Sequence, residues 1–267
     1  MTWLSRWARR FGLARGLALI LLVALAALRI ADPLPIQELR VRVFDLFQIL
    51  HPREATQRPV VIVDIDEKSL KTIGQWPWPR TRVADLVARL TEMGALVVAF
   101  DIVFAEPDRM SPSIAADAFR DLDEATRAKL RSLPSNDTVL AEALRHSHVV
   151  LGESGLPFAV AQPAGLQPPV GLATMGGDPR PYLLNFPGLL RNVPVIEQAA
   201  SGRGLFTIRA ERDGIVRRVP IVMQAQGTVM PSLTLEMLRV VSGSNTVLIR
   251  SDHAGVQNAS VPGFVIP

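Results

Sequence analysis

The stretch that decides the fold runs from Val60 to Phe104: "VVIVDIDEKSLKTIGQWPWPRTRVADLVARLTEMGALVVAFDIVF". Its two ends are apolar runs, Val60–Ile65 and Ala95–Phe104, each rich in β-branched residues and interrupted by acids. Continuous apolar runs of this length predict strands buried on both faces. Between them "EKSLKTIGQWPWPR" reads as a loop punctuated by Gly74, Pro77 and Pro79. Thr81 is placed to cap a helix running to about Met93, with Gly94 as its stop. Strand, helix and strand within this distance predict a right-handed parallel βαβ unit.

Downstream, the same style continues. Ile114–Leu133 is expected to be mostly helical, Asn136 to cap a helix to His146, and "HVVLGES" to be a third strand. Residues 155–195, rich in Pro and Gly, read as a long irregular excursion. Asp213-Gly214, inside "GLFTIRAERDGIVRRVPIVMQ", is a hairpin signal. Pro231 opens a helix over Ser232–Val241, and "TVLIR" is a last short strand. The expected class is α/β: a mixed, largely parallel sheet with flanking helices, preceded by an N-terminal transmembrane helix.

The chain has 267 residues, nearly half of them apolar, and no cysteine. That length allows one large domain with a sizeable core. The absence of cysteine excludes a disulfide framework and any thiolate metal site. Five of the 29 basic residues (Arg6, Arg9, Arg10, Arg15 and Arg29) lie within 1–31, where there is no acid, leaving 24 against 25 acids elsewhere. The basic excess therefore belongs to one end and does not form a polyanion footprint on the folded domain. No nucleic-acid partner is expected.

Gly16–Leu28, "GLALILLVALAAL", carries no charge, and extending it to Phe11–Ile30 gives the length of a bilayer span. Arg15 and Arg29 sit near its ends, where long side chains snorkel to headgroups. Positive charge ahead of the span keeps the N-terminus cytoplasmic and exports the chain beyond the span. A cleaved signal peptide, with Ala24-Leu25-Ala26 as the site, shares the pattern and exports the same domain. Pro35–Leu50 comes next as a helix with Ile36, Leu39, Val43, Leu46 and Leu50 in a stripe, ended by His51-Pro52-Arg53. The organisation expected is a cytoplasmic tail and span in 1–31, a juxtamembrane helix in 32–58 and an exported domain in 59–267.

Acids at the carboxyl ends of parallel strands line a crevice in open sheets. Asp64, Asp66 and Glu67 lie at and just after the end of the first predicted strand, Asp101 ends the second, and Asp108 lies close behind. Converging carboxylates can receive a cationic or hydroxylated ligand or a hard cation. Alternatively they cap amides or pair with Arg80 and Arg82. "VVIVDID" approaches the D-x-D of haloacid-dehalogenase-like phosphatases, but Lys68 stands where that pattern needs Thr or Val. An exported metal-dependent hydrolase using Asp64 and Asp66 is the alternative reading. Trp76-Pro77-Trp78-Pro79-Arg80 offers two indoles in a proline-stiffened loop, either a ligand wall or a lid over the core. His146 and His148 form a pair without an evident third ligand. Walker, Rossmann, zincin and nucleophile-elbow motifs are absent. No catalytic residue, metal or cofactor is assigned.

Four pieces together resemble the CHASE type 2 domain, an extracellular sensory module of bacterial receptors. They are "DLFQILHPRE" (45–54), "VVIVDIDEKSLKTIGQWPWPR" (60–80), "GALVVAFDIVFAEPD" (94–108) and "GRGLFTIRAERDGIVRRVPI" (202–221) with "MPSLTLEML" (230–238) after it. The resemblance implies a periplasmic sensor anchored in the bacterial inner membrane, with three further spans and a cytoplasmic effector. For the cyclase-linked members that effector is a class III adenylate or guanylate cyclase; in others it is a histidine kinase. For a sensor, the expected partners are the membrane, a second copy of the chain and a small-molecule or envelope ligand. The sequence given stops at "PGFVIP", before any such span or enzyme, and reads as a fragment.

Overall fold

The computed structural model describes residues 3–52, 60–161 and 171–266, with side chains from Arg15 onward. The side chains of Arg6, Arg9 and Arg10, the expected boundary at 58/59 and residues 162–170 of the excursion lie outside that description. The chain divides into two compact units, Met1–Ile65 and Asp66–Pro267.

The first unit is two helices, α1 (Trp3–Ala31) and α2 (Leu34–Leu50). They meet at an 86° bend. Asp32 takes a positive φ of 39° there, and Pro33, with no N–H to give, precedes the first turn of α2. The Gln37 amide donates to the Asp32 carbonyl at 2.7 Å and Arg40 pairs with the Asp32 carboxylate, which fixes the corner. No single helix among the described residues is long and apolar enough to cross a membrane, although Arg15–Ala31 and Leu34–Leu50 pass that test as a bent pair. The α2 stripe is as expected in position, but Leu39, Val43, Leu46 and Leu50 are exposed.

Val60–Ile65 forms no strand. Val61 and Ile62 are more than four-fifths exposed, and the predicted first strand of the βαβ unit is therefore corrected. β propensity is a local tendency; a strand exists only where a second backbone takes up its N–H and C=O groups.

The second unit opens with α3 (Glu67–Ile73), where a loop is expected, and α4 (Arg80–Glu92). Asp66 makes α3 possible: its carboxylate accepts the Ser69 N–H at 2.8 Å, as an N-cap should. Gly74 closes α3 with a φ of 113° that other residues rarely adopt. Next come β1 (Val98–Phe100), α5 (Pro112–Ala118), α6 (Glu124–Ser132), α7 (Asn136–Arg145) and β2 (Val149–Leu156). Ser135, not Asn136, caps α7, its hydroxyl accepting the Thr138 N–H. The supposed excursion is in part regular: β3 (Gly171–Gly176), β4 (Asn185–Phe186) and β5 (Gly188–Leu190) lie in it. The rest is α8 (Pro194–Glu197), β6 (Gly202–Leu205), β7 (Val222–Ala225), β8 (Thr228–Pro231), α9 (Leu233–Val241), β9 (Thr246–Asp252), β10 (Gly255–Val261) and β11 (Phe264–Ile266).

These strands make three mixed sheets where one is expected. In the first, β2 is shared: β1 and β6 pair with it in parallel and β5 antiparallel. The second runs β11-β10-β9-β3, with β3 and β9 parallel. The third is β4-β7-β8. The turn at Asp213-Gly214 does form, with the Glu211 N–H donating to the Ile215 carbonyl at 3.0 Å, but no strands flank it. The hairpin stands instead at Gln226-Gly227, whose φ values of 50° and 79° suit a two-residue turn between β7 and β8.

The main core packs α4, α7 and α8 against β1 and β2 through Val83, Val87, Leu140, Leu144, Leu151 and Ile196. Leu140 is wholly buried on α7. Leu140→Ala is expected to cost about 2–5 kcal/mol, read as a lower urea midpoint with unchanged slope. A second core joins α9 to β9 and β10 through Leu235, Val247, Ile249 and Ala259.

Candidate functional site

The Trp-Pro-Trp-Pro-Arg loop delivers its side chains to the N-terminus of α4. The Trp78 indole N–H donates to the Gly74 carbonyl at 2.7 Å. Trp76 meets Trp78 edge to face with ring centres 5.7 Å apart, the arrangement aromatic quadrupoles favour. Trp76 is half-buried against the core, and Trp78 is buried. The pair seals the core edge, and Trp78 also floors a cleft of about 380 Å³ lined by Thr72, Ile73, Arg82, Asp85 and Arg89. Of the two indoles, Trp78 alone is among the residues that line this cleft.

Arg80 turns inward. Only 8% of it is exposed, and its guanidinium carbon lies 4.5 Å from the Phe104 ring centre, a cation–π contact. Its backbone N–H donates to Asp108 Oδ2 at 2.7 Å. Its Nε faces Asp137 Oδ1 at 3.6 Å, beyond hydrogen-bond reach. Asp108 is the centre of the cluster: it also accepts from the Met110 N–H at 2.9 Å and the Asn136 amide at 2.8 Å. Its own N–H donates to Asp137 Oδ2 at 3.0 Å. Burial pushes the Asp108 carboxyl up, but the Arg80 and Met110 N–H groups, Asn136 and the guanidinium together hold it below its ordinary range. Burial lowers the Arg80 guanidinium, opposed by Asp108 and Asp137.

Within the second unit the predicted acids Asp66, Glu67, Asp101 and Asp108 do not converge. Asp66 caps α3, and the Ser69 hydroxyl and N–H hold its pKa down. Glu67 is exposed in the first turn of α3, and Asp101 is exposed just past β1. Asp64 is exposed in the N-terminal unit. Of the predicted residues in this unit, Trp76, Trp78, Arg80 and Asp108 share a neighbourhood. His146 caps the end of α7, exposed beside Glu142, and not on a strand. Among the described residues no group of three His, Asp or Glu side chains is placed to hold a metal ion.

A second polar cluster went unpredicted. Glu153, in the middle of β2, has no exposed surface. Arg203 of β6 brings Nη1 to Glu153 Oε1 at 3.2 Å and also pairs with Glu197 of α8. Glu197 is held in turn by Arg191 Nε at 3.1 Å. Burial pushes the Glu153 carboxyl up to about 7, Arg203 opposing and Glu197 adding to the shift. Behind β6, Glu236 and Arg239 of α9 form a buried forked pair, with contacts of 2.9 and 2.8 Å. The signal was available: Glu153 is the one charged residue between Val149 and Ala161, inside a run read as a buried strand.

α9 approaches β6 closely because the "GRGL" strand alternates. A Cβ on Gly202 would stand 2.1 Å from Glu236 Oε1, and one on Gly204 would stand 2.6 Å from the Leu233 Cα. Arg203, between them, points its side chain to the Glu153 and Glu197 carboxylates.

The family model described as the CHASE2 domain matches residues 18–262. No curated protein and no solved structure matches the chain.

Proposed function

The chain belongs to the CHASE2 domain family, a family of sensory domains, and from that premise we propose that it is the extracytoplasmic sensor of a membrane receptor. In this reading the segment before Asp32 anchors the protein in a bacterial inner membrane with its N-terminus in the cytoplasm. The unit from Asp66 onward lies in the periplasm and works as a homodimer. A small-molecule or envelope ligand biases it between two states, and membrane helices relay the bias to a cytoplasmic effector, a class III adenylate cyclase. The observation that carries the reading is the family match across residues 18–262. The charge pattern supports the orientation, because the basic excess sits before and at the end of one apolar stretch. The Trp78 cleft, with Arg82, Asp85 and Arg89 on its wall, is the proposed ligand contact.

Two results test this. An alkaline phosphatase reporter fused after Ile266 is expected to be active and a green fluorescent reporter at the same point dark; the reverse pattern would overturn the topology. The open reading frame is expected to continue into further spans and a cyclase. A frame without spans and effector would overturn the relay.

A further inference from the structure

We infer that the Glu153 carboxyl is a proton-binding site that decides whether Arg203 bridges two carboxylates or holds Glu197 alone. Glu153 sits on the strand that β1, β5 and β6 all share, so its side chain is fixed by the sheet and not by a loop. Its Oε1 takes the Arg203 contact, and its Oε2 has no hydrogen-bond partner although it is sealed from solvent. The Arg203 nitrogen that reaches Glu153 is the one that pairs with Glu197. When Glu153 is ionised, two carboxylates crowd one guanidinium nitrogen, and one carboxylate oxygen is buried without a hydrogen bond. Both conditions favour the neutral acid.

The groups around it decide how far. Arg203 comes from β6, Glu197 from α8 and Arg191 from the end of β5. α9 brings Glu236 and Arg239, which satisfy each other, while Glu236 also accepts the Arg203 backbone N–H at 3.3 Å. β1 places no titratable side chain within Val98–Phe100. With Arg191, Arg203 and Glu197 charged, the cluster is neutral when Glu153 is ionised and carries one positive charge when it is protonated. Arg203 therefore opposes the shift without cancelling it, and the carboxyl titrates at about 7. Deprotonation ties β6 to β2 through the Arg203–Glu153 pair; protonation leaves Arg203 to Glu197. The folded chain keeps this proton to about 7, whereas an unfolded chain releases it near the ordinary 4.5. Stability accordingly falls as pH rises through that window, with the full cost present above it. The proton as a ligand stands on this geometry alone; the proton as a stimulus rests on the sensory reading.

The test is a carbon-13 glutamate titration of the intact chain, monitored by infrared or NMR carboxyl signals. One glutamate is expected to titrate near neutrality, and its signal to be missing in Glu153→Gln. Glu197→Gln removes the neighbouring negative charge and leaves Glu153 as the charged partner of the shared Arg203 nitrogen. It is expected to move the midpoint down by about one unit, a roughly tenfold weaker hold on the proton. If every glutamate titrates in the ordinary range, or the neutral step survives Glu153→Gln, the inference is overturned. Should Glu153→Gln fail to fold, an unmoved midpoint in Glu197→Gln overturns it instead. A neutral step at Glu153 with unchanged effector output would remove the proton as a stimulus and leave the binding site standing.

Discussion

Arg80→Ala is expected to cost the chain about 3–5 kcal/mol, because it strands buried carboxylates that now face a cation. Asp108 and Asp137 are both largely buried and both face Arg80. The Arg80 backbone N–H would still reach Asp108, and Asn136 and Met110 would still donate to it. The guanidinium that both acids share disappears, and with it the charge over the Phe104 ring. The measurement is urea unfolding of the intact chain, read by far-UV circular dichroism at several pH values. The loss should be largest near neutrality and shrink in acid, since protonation relieves carboxylates that have lost their cation. A loss below about 1 kcal/mol, or one independent of pH, would show that the cluster is held by its amide donors alone. Arg80→Lys should fall between, keeping the charge and losing the planar fork.

Gly204→Ala is expected to destabilise the chain by about 1–3 kcal/mol or more, through overpacking. The added Cβ would meet the Leu233 Cα at 2.6 Å, the Leu233 nitrogen at 2.7 Å and the Ser232 carbonyl carbon at 2.8 Å. All three are backbone atoms at the start of α9, so no side chain can rotate away and the helix itself must lift. The Ser232 cap, whose hydroxyl accepts the Leu235 N–H at 3.2 Å, would be disturbed with it. Gly177→Ala is the control: its Cβ would find nothing nearer than 3.8 Å, so its effect should stay within about 0.5 kcal/mol. Equal melting temperatures for the two variants would mean that α9 and β6 are not packed as closely as described.

The helices were largely legible because their signals are local. The stripe of α2, the stop at Gly94 and the helix opening after Pro231 each sit within one or two turns of the residues they govern. α3 is the exception: Asp66 suits a ligand-binding acid as well as a cap, and Gly74, Pro77 and Pro79 close behind carry loop signals. Strands were harder, since pairing depends on residues far away in sequence. β3 pairs with β9 some 75 positions on, Gly171 against Thr246, and nothing inside "GLATMG" announces that partner. Val60–Ile65 shows the converse, a strong local tendency with no strand. The site divides in the same way. Arg80 and Asp108 could be proposed from a compact motif, but Glu153 finds Arg203 50 positions later. Only its loneliness in an apolar run marked it beforehand.

The corner between α1 and α2 has a mechanical consequence. Two rigid rods joined at 86° act as a crank. A 17-residue helix is about 25 Å long at about 1.5 Å per residue. A twist of α1 by about 10° about its own axis would swing the far end of α2 through about 4 Å on that arm. A thrust along α1 would instead carry α2 broadside, every turn by the same amount. The joint therefore keeps torque and thrust distinguishable, one arriving as an arc and the other as a parallel shift. The Asp32–Arg40 tie and the Gln37 amide determine how stiffly either is passed on.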